Sequence, residues 1–247
     1  MGVPAGHGHR HRLTNRIVLR DNNSHSAVMI GRVNTTAVHL PDLPAQARRL
    51  VDLGVARLAG IDDAAIIDAA AAAADTGNAL LVPHPELLAP SVTAPLLTRS
   101  DKPGFVVVDM TDLDDFAPIT GVDLPAGPFY LLTGIERGDE MANWSPDEAL
   151  PTITGAARTP LTIGEGIAWL LQQPGQLEPN RCFMTIGSRL PRQDGRLDAR
   201  TPAIWISGGT GRDGRERKGA PKVGWCWAGN RHTWLGFASA SDRRAIS

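Results

Sequence analysis

The residues best equipped for chemistry concentrate in KVGWCWAGNRHTWLGFASA, residues 222–240. This stretch holds three of the six tryptophans (Trp225, Trp227 and Trp234) with Cys226 and His232, the one histidine beyond residue 84. An imidazole among indoles can move a proton near neutral pH, or can supply a hydrogen bond within a stacking platform for a ligand. Asn230 and Arg231 add an amide and a guanidinium beside it. A second polar set, Arg137, Asp139, Glu140 and Asn143, falls in residues 136–144, ahead of Trp144. Together they describe two chemistries. One is a binding surface built from Trp227, Asn230, His232 and the 136–144 loop. The other is an enzyme for a small polar or anionic substrate, with His232 as acid/base and Arg137 or Arg231 as anion clamp. The plainer reading stands beside both: the indoles wall a core, and Arg137 pairs with Asp139 or Glu140.

Local pattern predicts how the first set is positioned. Residues 223–228 and 232–237 read as two strands of a β-hairpin. Gly229-Asn230 suits a two-residue type II′ turn, in which glycine accepts a positive φ. That register sets Trp227 opposite His232 and Trp225 opposite Trp234. Trp225, Trp227, His232 and Trp234 then share one face, with Cys226 on the other. On that register Cys226 and His232 cannot form a dyad, and Cys182 and Cys226 read as inert buried thiols on one sheet.

Other candidates carry less chemistry. Residues 208–215, GGTGRDGR, lack the Gly-Lys-Ser/Thr ending of a phosphate loop, and no helix follows them. Asp109, Asp112, Asp114 and Asp115 cluster beyond an apolar run, where hard cations are often held. Thr111 occupies the place of the second aspartate of a phosphatase-like pattern, so a solvated acidic loop is expected. His84, between two prolines, reads as structural. His7, His9 and His11 give no defined metal site and no metal is expected; the residues leave any cofactor unidentified.

The elements around these residues follow from period and punctuation. Helices are predicted over residues 44–53 and from Asp62 or Asp63 to Ala74. Strands are predicted at 79–83, 104–110 and 129–133. Ser145-Pro146-Asp147-Glu148 and Thr162-Ile163-Gly164-Glu165 are capping boxes; the first helix is expected to stop at Pro151, the second at Pro174. Strands at 182–187 and 203–207 and the hairpin follow, with long, mobile surface loops at 191–200 and 208–221. The fold class is therefore α+β or mixed α/β, with N-terminal helices and short strands packed on a largely antiparallel C-terminal sheet.

Composition sets the outer limits. The chain has 247 residues, a formal charge of −1 and 42% hydrophobic content, enough for a sizeable core. Residues 1–36 have little apolar periodicity and are expected to be a disordered tail; residues 37–247 form a single globular domain. Residues 42–150 carry eighteen acidic against six basic side chains, and residues 151–247 carry seven against fourteen. The two parts can therefore dock on one another. With no nucleic-acid module, no span-length apolar run and no cysteine framework, the expected setting is the cytoplasm, without membrane or nucleic acid. The arginine- and alanine-rich composition resembles that of a GC-rich genome.

Five segments carry a family resemblance: RGDEMANWSPDEALP (137–151), LTIGEGIA (161–168), RCFMTIGSR (181–189), PAIWIS (202–207) and GWCWAGNRHTWLG (224–236). On these the chain resembles an uncharacterised, mainly actinobacterial family of domains of unknown function, family 5701. The chain departs from the family pattern in its long N-terminal tail and its arginine-rich 208–221 loop. The resemblance implies one folded unit from about residue 40. It implies no reaction, cofactor or partner, so an unidentified small molecule or protein remains the expected partner.

Overall fold

The computed structural model describes residues 38–246; the expected disordered tail and its histidines lie outside the described residues. Those described belong to one compact unit, Thr35–Ser247. Helix α1 (Leu43–Asp52) opens on Asp42, whose carboxylate accepts the Ala45 N–H at 2.7 Å. Helix α2 (Asp63–Ala72) opens in the same way on Asp62, which accepts the Ala64 N–H at 2.9 Å. Aspartate is strongly favoured at this position because it satisfies a free N–H of the first turn. Strand β1 (Ala79–Pro83) is buried along its length, and β2 (Phe105–Val106) and β3 (Phe129–Thr133) follow.

Helices α3 (Pro146–Gly155) and α4 (Ile163–Gln172) both start on capping boxes. In α4 the Thr162 N–H donates to Glu165 at 2.7 Å, and the Glu165 N–H returns to Thr162 Oγ1 at 3.3 Å. The C-terminal strands are β4 (Cys182–Met184), β5 (Arg200–Ile206), β6 (Pro221–Trp227), β7 (Leu235–Phe237) and β8 (Asp242–Ala245). The result is α+β, as the sequence pattern predicts.

The strands form two principal sheets. One has the order β1-β3-β8, all antiparallel. The other has the order β7-β4-β5-β6-β2; its two inner pairings are antiparallel and its two edge pairings parallel. Helix α4 touches both sheets, and every residue in it except Gly164 is buried. A side chain at Gly166 would strike Thr185 and crowd Phe183 and Ile204 of the larger sheet, so glycine there lets helix and sheet approach closely.

Four local expectations are corrected. The 223–237 stretch is not a hairpin: β6 pairs with β5 and β2, β7 pairs with β4, and two strands separate them. Seven residue pairs join β5 to β6. Trp205 lies against Gly224, whose added Cβ would come within 2.6 Å of the indole. That long-range ladder outweighs a locally attractive turn, because strand preference is set by cross-strand packing. Gly229 accordingly does not take a positive φ.

The 104–110 run, expected as a buried strand, contributes only the two-residue edge strand β2; the chain turns away, leaving Val108 exposed. Pro151 does not end α3, which runs on to Gly155. Proline at this point removes a single intrahelical bond, the one to the Asp147 carbonyl in the first turn. The 208–220 connection does join antiparallel strands, but it is pinned. Buried Asp213 accepts from Ser207 Oγ and Lys222 Nζ, both at 2.8 Å.

Candidate functional site

The fold brings the two predicted polar sets together, but by a different route. After β6 the chain crosses the end of the sheet, and residues 228–232 run beside residues 143–147. Asn143, held at φ +69°, donates its N–H to the His232 carbonyl at 2.8 Å. Asp147 donates its N–H to the Ala228 carbonyl at 3.4 Å. Arg231 closes the seam by donating to the Asn143 carbonyl at 3.2 Å and to the Glu148 carboxylate. Glu148 is also the capping-box acid of α3. The hydrogen bond from the Ser145 backbone N–H, with the Ser145 hydroxyl and Arg231 beside it, holds its carboxyl below the usual range.

Deeper in the same seam Gly236 packs on the 136–138 backbone. An added Cβ would stand 2.6 Å from the Arg137 carbonyl oxygen. Arg137 itself is 8% exposed and grips Asp139 through two bonds of 2.7 and 2.8 Å, with a third to the Gln176 carbonyl at 2.7 Å. Arg181 takes the other side of Asp139 at 2.7 Å. Burial alone would raise the Asp139 pKa; the bonds from Arg137 and Arg181 outweigh it and lower the value. The plainer pairing of Arg137 with Asp139 is therefore realised, and the half-exposed Arg231 pairs with Glu148. Glu140 and Asn230 are exposed, the latter in a turn whose N–H returns to the Trp227 carbonyl at 3.0 Å.

The expected single aromatic face divides in two. Trp225 and Trp227 pack edge to face with centroids 4.6 Å apart. Trp234 packs instead with Trp205 at 6.3 Å and with His232 at 5.3 Å. Such edge and tilted arrangements suit the quadrupoles of the rings. His232 therefore does not face Trp227. Its Nε2 is buried with no hydrogen-bond partner among the described residues, and burial pushes its pKa down, which favours the neutral ring. The indoles most open to solvent are Trp227, 48% exposed, and Trp144, 36% exposed. Trp144 closes the 136–144 loop, and that loop is part of the binding surface expected from the sequence.

Both cysteines carry free thiols on strands of the same sheet, β4 and β6. Burial pushes Cys182 up and Cys226 up to about 11, which keeps both thiols protonated and unreactive.

A separate cavity of about 510 Å³ opens where β1 ends and α4 begins, and His84 lines it. From its place between two prolines alone, His84 is expected to be structural. The signal that could have pointed here was the α4 capping box, with glycine at its second position, but nothing local links it to residue 84.

No curated protein and no solved structure matches the chain. Residues 49–246, which include the seam, the divided indoles and the His84 cavity, match the family of unknown function DUF5701, and the protein belongs to that family.

Proposed function

We propose that this domain is a binding module that presents Trp144 and Trp227 to a protein partner. The observation that supports it is the solvent exposure of both indoles on adjacent segments joined by the Asn143–His232 and Asp147–Ala228 bonds. Large, rigid aromatic side chains give contact area at small entropic cost, and they dominate interface energetics where neighbouring groups are already satisfied. Arg137, Asp139, Arg231 and Glu148 serve this surface as its frame, because their charges are spent on one another. The alternative, an enzyme with His232 as acid/base, has less support. The Nε2 of that ring is sealed from solvent, and the cavity lined by His84 lies elsewhere. The cytoplasm is the location assigned with this reading, on the two free thiols. Among the described residues no helix is long and apolar enough to cross a membrane.

The test is a Trp144→Ser/Trp227→Ser double variant. Native mass spectrometry and co-purification should show complexes with the parent protein that the variant lacks, at an unchanged thermal midpoint. Identical assemblies with both proteins would refute the assignment.

A further inference from the structure

The cavity at the start of α4 carries an inference independent of the tryptophan surface. Its floor consists of hydrogen-bond donors. Three of the first four N–H groups of α4 have acceptors: Ile163 in Ser188 Oγ at 3.1 Å, Glu165 in Thr162 Oγ1 at 3.3 Å and Gly166 in the Thr162 carbonyl at 3.0 Å. The remaining one belongs to Gly164, a residue that lines the cavity, and it has no acceptor among the described residues. A free N–H in the first turn is a standing donor. Ser188, 1% exposed, also lines the cavity and accepts from Ile163; its hydroxyl proton has no acceptor among the described residues. The third donor is His84. Its Nδ1 accepts the Glu86 N–H at 3.2 Å, which leaves Nε2 to carry the ring proton.

The rim is opposite in character. Glu86, Asp114 and Asp123 line it, and no lysine or arginine does. Ser91 engages Asp114 through its N–H at 2.9 Å and its hydroxyl at 2.5 Å; Glu86, its Oε2 3.8 Å from His84 Nδ1 and its side chain 91% exposed, and Asp123 accept no hydrogen bond from the described residues. Phe116, Val122 and Leu124 give an apolar wall.

The floor is rigidly supported from behind. Glu165, fully buried, accepts from Tyr130 Oη at 3.0 Å and is gripped by Arg243. The Tyr130 ring in turn stands edge-on to His84 with centroids 6.1 Å apart. A shell of this kind fixes the groups in front of it.

A lone anion would meet three carboxylates at the rim, and a lone cation would leave the floor donors unmet. A small zwitterion satisfies both. We propose that the cavity binds a free amino acid with an apolar side chain. Its carboxylate sits on Gly164 N–H, Ser188 Oγ and His84 Nε2, its ammonium faces Glu86 and Asp123, and its side chain lies on the Phe116 wall. The volume is in the range of small-molecule sites.

Calorimetric titration of the full chain with L-leucine, L-valine and L-methionine, each beside its decarboxylated amine and its deaminated acid, tests this. At least one amino acid should bind, with its amine and its acid weaker by about tenfold or more. Glu86→Gln/Asp123→Asn alters two exposed side chains; it should weaken amino-acid binding by about tenfold and leave the ligand-free thermal midpoint in place. The proposal is overturned if an amine binds as tightly as its amino acid, if the double variant binds like the parent, or if none of the three amino acids binds at millimolar concentration.

Discussion

Arg243 and Glu165 meet in the core as a two-pronged ion pair, Nε to Oε1 at 2.6 Å and Nη2 to Oε2 at 2.7 Å, joining the last strand to the first turn of α4. The Glu165 side chain is fully buried and that of Arg243 is 6% exposed. Such a pair stabilises little relative to an apolar replacement of both partners, but removing one partner strands a buried charge. Arg243→Met should therefore cost about 3–5 kcal/mol in urea unfolding, and Arg243→Met/Glu165→Gln should recover most of that loss. Equal losses in the single and double variants would refute the assignment.

Tyr130, the chain's single tyrosine, donates to the same carboxylate. Burial first, and then the Glu165 charge, raise its pKa well above the ordinary value. Above the unfolded value of about 10 the unfolded chain ionises while the folded chain does not, so stability falls as pH rises through that point. Tyrosinate absorbance should stay silent in the native protein and appear together with loss of the far-ultraviolet signal. An independent native titration near pH 10 would show that the phenol is not held in the core.

His232 has its Nε2 buried and unpartnered, so replacing it by an apolar ring of similar shape removes a desolvation cost. His232→Phe should be at least as stable as the parent at pH 7.5, with a gain of up to about 1 kcal/mol. Because burial lowers the folded pKa, the unfolded state takes the proton first. The parent therefore loses stability as pH falls below about 6.5, until the folded pKa is reached. The variant should lack that component, and unfolding curves from pH 7.5 to 5 would measure it. A variant clearly less stable than the parent at pH 7.5 would count against the assignment.

Gly236 marks how tightly the seam is closed. Its added Cβ would sit 2.6 Å from the Arg137 carbonyl oxygen and 2.9 Å from the Gly138 carbonyl group. Backbone atoms cannot yield as a flexible side chain can, so Gly236→Ala should cost about 2–3 kcal/mol. Gly229→Ala, with nothing within 4 Å of the new methyl, is the control and should change stability by less than about 0.5 kcal/mol. Equal effects at the two sites would mean that the seam is loose.

What the sequence determined by itself is what a few neighbouring residues can decide. Asp62, Ser145 and Thr162 mark helix starts because a capping side chain reaches only two or three residues along the chain. The strands at 79–83 and 129–133 were legible because both are short apolar runs with turn residues at their ends. The 136–144 loop and the Trp/His stretch each stand out locally, but their contact through Asn143 and His232 is a tertiary fact. Strand partnership lay beyond local reading. Trp225, Trp227 and Trp234 alternate as a hairpin would, yet the seven-pair ladder to β5 and the fit of Trp205 on Gly224 assign them to different neighbours. The donors of the His84 cavity come from residues 84, 164 and 188, and its carboxylates from 86, 114 and 123. Only tertiary structure could assemble that site, because packing β1, α4 and the loops between them decides which distant polar groups share one space and which are used up on each other.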